Sequence, residues 1–249
     1  MKKIELAEGI VQYMFEPDPG KYIGYNIIAV SDGNRVILID TAYEKQMEQA
    51  LADLRADGME PQAVIISHFH GDHIYGLKAL PKLPVYGSSE YQVTLDLYTE
   101  KEEHQYFTPA VPVDSSLTID FGKHRITLLP YPGHSHCGML VMIDDSFVHI
   151  GDELIAANDG RAALPSVNYD QVREHYEALA KLQEYCKYTL IPSHGAAISG
   201  EERIKEEIRN RMIYLAAILN SSERITVEEA TKGCSREFLC RHWHEHIYE

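Results

Sequence analysis

The seven residues Ser67-His68-Phe69-His70-Gly71-Asp72-His73 hold three imidazoles and a carboxylate. Imidazole nitrogen with carboxylate oxygen is a donor set that suits zinc and is also acceptable to iron or manganese. Four such groups in one tight loop cannot all face a single tetrahedral ion without crowding, so the spacing favours two metals sharing the loop. Two metals need further ligands, and the chain repeats one pattern that offers them. Apolar runs at 126–130, 147–150 and 188–192 lead to His134, Asp152 and His194, each beside a glycine that permits a tight turn.

The elements that position these residues follow from the same runs. Ala63-Val64-Ile65-Ile66 reads as a buried strand, so the histidine-rich loop begins where that strand ends. In α/β sheets the functional crevice lies beyond the carboxyl ends of strands. Four strand ends are therefore expected to converge on one site.

The ordered series Asp40 (in Leu38-Ile39-Asp40-Thr41), His68-Phe69-His70-Gly71-Asp72-His73, His134, Asp152 and His194 resembles the five motifs of the metallo-β-lactamase-fold hydrolases. The resemblance implies a four-layer αβ/βα sandwich, two mixed sheets with helices outside. It implies that His68, His70 and His134 hold a first metal and that Asp72, His73 and His194 hold a second, with Asp152 bridging. Asp40 would orient the ligand loop from behind by hydrogen bonds. Two zinc ions are the implied cofactors, with iron or manganese as alternatives.

Two segments depart from the family pattern. Ile74-Tyr75-Gly76 places a bulky phenol where many members carry small residues, so Tyr75 is a candidate substrate contact. Pro132-Gly133-His134-Ser135-His136-Cys137-Gly138 places His136 two residues from a ligand, where it either lines the pocket or supports the ligands, or has a purely structural role. Arg161, the one cation of segment 155–167, is a candidate partner for a substrate carboxylate, against the plainer reading of an exposed loop arginine.

The chain of 249 residues has no low-complexity linker, and one domain spanning 1–249 is expected, built from two similar halves. A formal charge of −15 repels polyanions, which argues against a nucleic-acid partner. No apolar run reaches the ~18 residues of a membrane span. Glu5 and Glu8 interrupt any signal-peptide core, and four irregularly spaced cysteines are no disulfide framework, so a cytoplasmic setting is expected.

Strands are expected at 10–14, 23–30, 36–39, 63–66 and 84–87, and as hairpins at 117–121/124–128 and 139–143/147–150. Helices are expected at 43–57, 89–106, 170–185 and 201–219. The apolar end of the last would pack on the core or on a second subunit, which leaves a homo-oligomer open. Tyr22 and Tyr25 are either pocket residues or strand aromatics packed on neighbours. His124 reads as surface, His149 as a satisfied core histidine, and His242, His244 and His246 as an exposed or subunit-packed tail.

The function expected is hydrolysis of a small-molecule ester, thioester, lactone or related bond by a metal-bridging hydroxide, with Asp72 accepting a proton. In pattern the chain is most similar to the thioesterase and lactonase members. A single-iron sulfur dioxygenase on the same fold is the alternative; phosphodiesterase, nuclease and β-lactamase rank lower.

Overall fold

The computed structural model describes residues 1–248; Glu249, the last residue of the expected domain, lies outside them. The first half contains β1 (Lys2–Ala7), β2 (Ile10–Met14), β3 (Asn26–Asp32), β4 (Arg35–Ile39), α1 (Glu44–Ala56), β5 (Glu60–Ile65), α2 (Gly71–Ile74) and β6 (Val85–Ser88). After it come α3 (Tyr91–Tyr98), α4 (His104–Phe107) and β7 (Val111–Val113). The second half contains β8 (Leu117–Phe121), β9 (His124–Pro130), β10 (Met139–Ile143), β11 (Phe147–His149), α5 (Val172–Leu182), β12 (Thr189–Ile191), α6 (Glu201–Leu219), α7 (Val227–Ala230) and α8 (Trp243–His246).

Two mixed sheets result, ordered β1-β2-β3-β4-β5-β6-β7 and β12-β11-β10-β9-β8. One apolar cluster joins Ile28, Val30, Ile37 and Ile65 of the first sheet to Ile126, Leu128, Val141 and Ile191 of the second, so the sheets pack face to face. On the outer face of the first sheet lie Met47, Ala50, Leu51 and Leu54, the apolar stripe of α1. Burying each large side chain of that stripe contributes about 1.5–3 kcal/mol. On the outer face of the second sheet lie α5 and α6, whose Leu179, Leu182, Leu215 and Ile218 are fully buried. The apolar end of α6 thus packs on the core. This is the αβ/βα sandwich.

Register explains where the site forms. β4 and β5 are parallel, pairing Ile39 with Ile65, so both strands end at one level and place Asp40 beside Ser67. β11 and β12 are parallel as well, pairing His149 with Ile191, and their ends lead to Asp152 and His194. β9 and β10 pair Pro130 with Met139, which closes the loop carrying His134. The Met139 amide donates to the Ser67 carbonyl at 2.8 Å and the Asn26 amide to the Ser193 carbonyl at 2.9 Å, tying the two sheets together at this edge.

The structure corrects several expectations. Residues 89–106 do not form one helix: α3 stops at Tyr98, and Thr99 and Glu100 are extended before a short turn leads into α4. β1 extends the first sheet at its edge, pairing with β2. His124 is buried rather than at the surface, because its Nδ1 lies 2.9 Å from the Asp144 carboxylate and its Nε2 3.2 Å from the Ser31 carbonyl. Among the described residues no helix is long and apolar enough to cross a membrane.

Candidate metal centre

Seven predicted donor residues meet at the common edge of the two sheets. His68, His70 and His134 form one group and Asp72, His73 and His194 another, each with its ligand atoms within 4.8 Å of one another. His68 Nε2 and His134 Nε2 each lie 3.1 Å from His70 Nδ1. Two nitrogens sharing one tetrahedral ion at zinc–nitrogen length sit about 3.3 Å apart, so this spacing is that of co-ligands. Asp152 stands between the groups. Its Oδ2 is 3.9 Å from His68 Nε2, 3.7 Å from His134 Nε2, 3.6 Å from His73 Nε2 and 3.3 Å from His194 Nε2.

Whether metal fits can be tested on the polar atoms themselves. Among the described residues, His73 Nε2 and Asp152 Oδ1 are buried and have no hydrogen-bond partner. Buried polar groups are normally satisfied, and orphans on residues of the donor cluster fit a cation as the missing partner. The donor set, nitrogen with carboxylate oxygen, agrees with zinc.

Electrostatics divide the two groups. Burial, reinforced by neighbouring imidazoles, pushes His68 and His134 well below the usual histidine range. Burial likewise brings His70 down to about 4. All three are neutral at pH 7, with lone pairs available. Burial also opposes protonation of His73 and His194, but the carboxylates of Asp152 and Asp72 prevail, raising His73 well above its usual range and His194 to about 9. Burial would raise Asp152, yet His194 and His73 beside it hold its carboxyl well below the carboxylate range.

The supporting residues come from both sheets. Asp40, buried and at φ +57°, accepts from the Ser67 amide and hydroxyl at 2.7 Å each, from Ser193 Oγ at 2.9 Å and from His73 Nδ1 at 2.9 Å. The N-terminus of α1, four residues on, carries no side-chain cap. His194 Nδ1 is held by the Gly24 carbonyl at 2.6 Å. Gln12 Nε2 and Asn26 Nδ2 donate to the Gly195 carbonyl at 2.8 and 2.6 Å, and Asn26 Nδ2 also to the Pro192 carbonyl at 2.9 Å. Gly195 itself, at φ +93°, would drive a Cβ to 2.8 Å from the Ala156 carbonyl. Behind His134, the buried Glu153 accepts from the His134 amide at 3.1 Å and faces His175 Nε2 at 3.2 Å. That approach requires Gly133, whose Cβ would stand 2.5 Å from the Glu153 carboxylate. His149 is a core histidine, fully buried and 3.4 Å from Ser193 Oγ.

A cavity of about 810 Å³ opens over the donors, lined on the metal side by His70, Asp72, His134, Asp152 and His194. Tyr75, Tyr22 and Tyr25 also line it, as the pocket reading of the sequence has it. His136 does not: its side chain is 42% exposed and pairs with Glu174 at 2.9 Å on α5, because the tight turn around Ser135 points it outward. Arg161 does not either. It is 61% exposed and bound to Asp159 two residues away, the plainer of its two readings.

Sequence reasoning missed the opposite wall. Cys240, His242, Trp243 and His246 line the cavity, so the tail closes the site instead of standing apart from it. Buried His244 anchors it, with Nδ1 2.9 Å from the Tyr214 hydroxyl and Nε2 2.7 Å from the Ile225 carbonyl, and a parallel bridge pairs Leu239 with Ala163. The spacing of His242 and His246, one helical turn apart, was the available signal. Without a strand end nearby it gave no direction.

Comparison with known proteins bears on the family and the fold. The family model described as the metallo-beta-lactamase superfamily matches residues 22–194. A hydroxyacylglutathione hydrolase of Pectobacterium atrosepticum is 23% identical over 177 residues, 70% of this chain and 62% of that protein, so the matched part of the chain spans less than two thirds of that relative's length. Among solved structures, a metallo-beta-lactamase from Pontibacter korlensis superposes with TM-score 0.71 at 18% identity, covering 88% of this chain and 99% of that one. The DIM-1 metallo-beta-lactamase superposes with TM-score 0.64 at 17% identity, covering 84% and 95%. At such identities the structural likeness speaks to the fold.

Proposed function

The chain belongs to the metallo-beta-lactamase superfamily, and on that premise we propose that it is a dinuclear-metal-dependent hydrolase of a small-molecule thioester, ester, lactone or related bond. The observation that carries this reading is Asp152, whose Oδ2 lies within 3.9 Å of imidazoles from both donor groups. A carboxylate so placed suits two ions better than one. The thioester heads the series because a hydroxyacylglutathione hydrolase is among the relatives.

When bound, a pair of divalent ions lowers the pKa of water toward ~7 and polarises an acyl oxygen. His68, His70 and His134 would hold one ion; Asp72, His73 and His194 the other, with Asp152 between. Asp72, 29% exposed at the cavity floor and 3.5 Å from His73 Nε2, is the carboxylate positioned to accept the proton lost by the attacking water and to pass it to the leaving group. Tyr25 and the tail wall limit water around the acyl group. Four unpaired cysteines support a reducing cytoplasm as the setting.

The test is hydrolysis of thioester, lactone and phosphodiester panels by zinc-loaded protein, with and without chelator. Chelator-sensitive turnover of the thioesters or lactones is expected; a fully loaded protein inert to every acyl substrate would overturn the reading. The sulfur dioxygenase alternative requires only one iron, and the second donor group of Asp72, His73 and His194 favours the hydrolase over it.

A further inference from the structure

The cavity's walls carry more aromatic surface than its polar floor needs. Tyr98 stands edge-on to His70, ring centroids 4.8 Å apart at 80°, and Tyr25 stands similarly to His194, 5.9 Å apart at 64°. Each donor group therefore has a tyrosine beside it. Tyr43 lies beside Tyr25, edge-on at 5.3 Å, and stacks on Tyr75 at 6.0 Å, and Trp243 of the tail lines the same cavity.

Two of the hydroxyls are hydrogen-bonded within the wall. Tyr25 donates to Asp18 at 3.2 Å, and the Tyr98 oxygen accepts from Asn168 Nδ2 at 3.0 Å. Tyr43 and Tyr98 are still 38% and 46% exposed. Aromatic side chains left open inside a cleft are common ligand contacts, and flat rings favour a flat, unsaturated partner by their quadrupoles. Charge narrows the class further. Lys21 is the only lysine or arginine lining the cavity among the described residues, too few for a polyphosphate carrier.

We propose that the acyl group handled at this site carries an aromatic ring, packed against Tyr43 and Tyr98 while the scissile bond sits over Asp152. This rests on the hydrolase reading for the chemistry, but the ring preference can be measured without turnover. Trp243 is the only tryptophan of the chain and lines the cavity, so its fluorescence reports binding there.

The experiment compares phenylacetate with cyclohexylacetate, of equal heavy-atom count and differing in ring flatness, as ligands of zinc-loaded protein followed by Trp243 emission. The corresponding N-acetylcysteamine thioesters are then compared as substrates. Phenylacetate should bind about fivefold more tightly, the equivalent of about 1 kcal/mol. The preference should shrink toward unity in Tyr98→Leu and Tyr43→Leu, which keep apolar bulk and remove the π face. Equal or tighter binding of cyclohexylacetate by the wild type overturns the proposal, as does a preference that survives in both variants. If neither thioester is turned over, the hydrolase reading is in trouble, while the binding ratio still decides the aromatic preference.

Discussion

Asp40 Oδ2 accepts a hydrogen bond from His73 Nδ1 at 2.9 Å, between two side chains that are each 1% exposed. This bond fixes the tautomer of His73 and turns its Nε2 toward Asp72 and Asp152. Burial would raise the Asp40 carboxyl, but His73, His149 and the Ser67 amide hold it below the usual range. One carboxylate thereby aligns the ends of β4, β5 and β12.

Asp40→Asn keeps the shape and removes the charge. Metal affinity should fall about 10- to 100-fold, as for other groups that orient metal ligands, with little change in fold. Asp40→Ala should also lose stability by about 1–3 kcal/mol, because the Ser67 amide and hydroxyl, Ser193 Oγ and His73 Nδ1 lose their buried acceptor. Metal titration and thermal melts of both variants check this. Wild-type metal affinity in Asp40→Asn would contradict it.

Metal uptake should expel protons. His194, raised to about 9, and His73, raised well above its usual range, are protonated at pH 7 and must become neutral to act as ligands. Affinity should therefore climb between pH 6 and pH 9, and calorimetric enthalpies should track the ionisation heat of the buffer. The same sign governs chelated protein. Stability from these raised histidines is fully present below the unfolded value of about 6.5 and is lost as pH rises through about 9. Proton-neutral loading at pH 7 would refute the assignment.

Asn26→Ala should damage the second donor group selectively. It frees the Pro192 carbonyl and leaves Gly195 to Gln12 alone, so the turn bearing His194 loosens. Stability should drop by about 1–3 kcal/mol, and a metal titration should retain its tight phase while weakening the other. Equal weakening of both phases would show that Asn26 acts on the fold as a whole.

Most donors were legible because their ligand chemistry coincided with strand-end periodicity: His68 follows β5, Asp152 follows β11, His194 follows β12. Of the supports only Asp40 was legible. Ser67, Ser193, Gln12 and Asn26 are small or neutral polar residues whose value arises from partners up to 183 positions away, and no local pattern encodes such pairing. His124 misled for a similar reason, since strand alternation pointed it outward while Asp144 of the β10–β11 turn and Ser31 of the other sheet enclosed it. The tail was illegible because its placement depends on His244 meeting Tyr214 of α6.

That anchor gives a direct expectation. His244→Ala removes two buried hydrogen bonds, so about 1–3 kcal/mol of stability should be lost. The tail wall should loosen, with Trp243 emission shifting to the red and becoming more accessible to iodide. An unchanged spectrum in a destabilised variant would mean that the wall is held by other contacts, such as the Leu239–Ala163 bridge.

The most direct test of the dinuclear centre is elemental analysis of protein purified without added metal or a histidine tag. About two ions per chain are expected for a two-metal site, falling in His70→Ala and in Asp152→Ala while both variants remain folded. One ion per chain in the wild type, or metal content unchanged in both variants, would contradict the assignment of His68, His70, Asp72, His73, His134, Asp152 and His194 to a shared two-metal site.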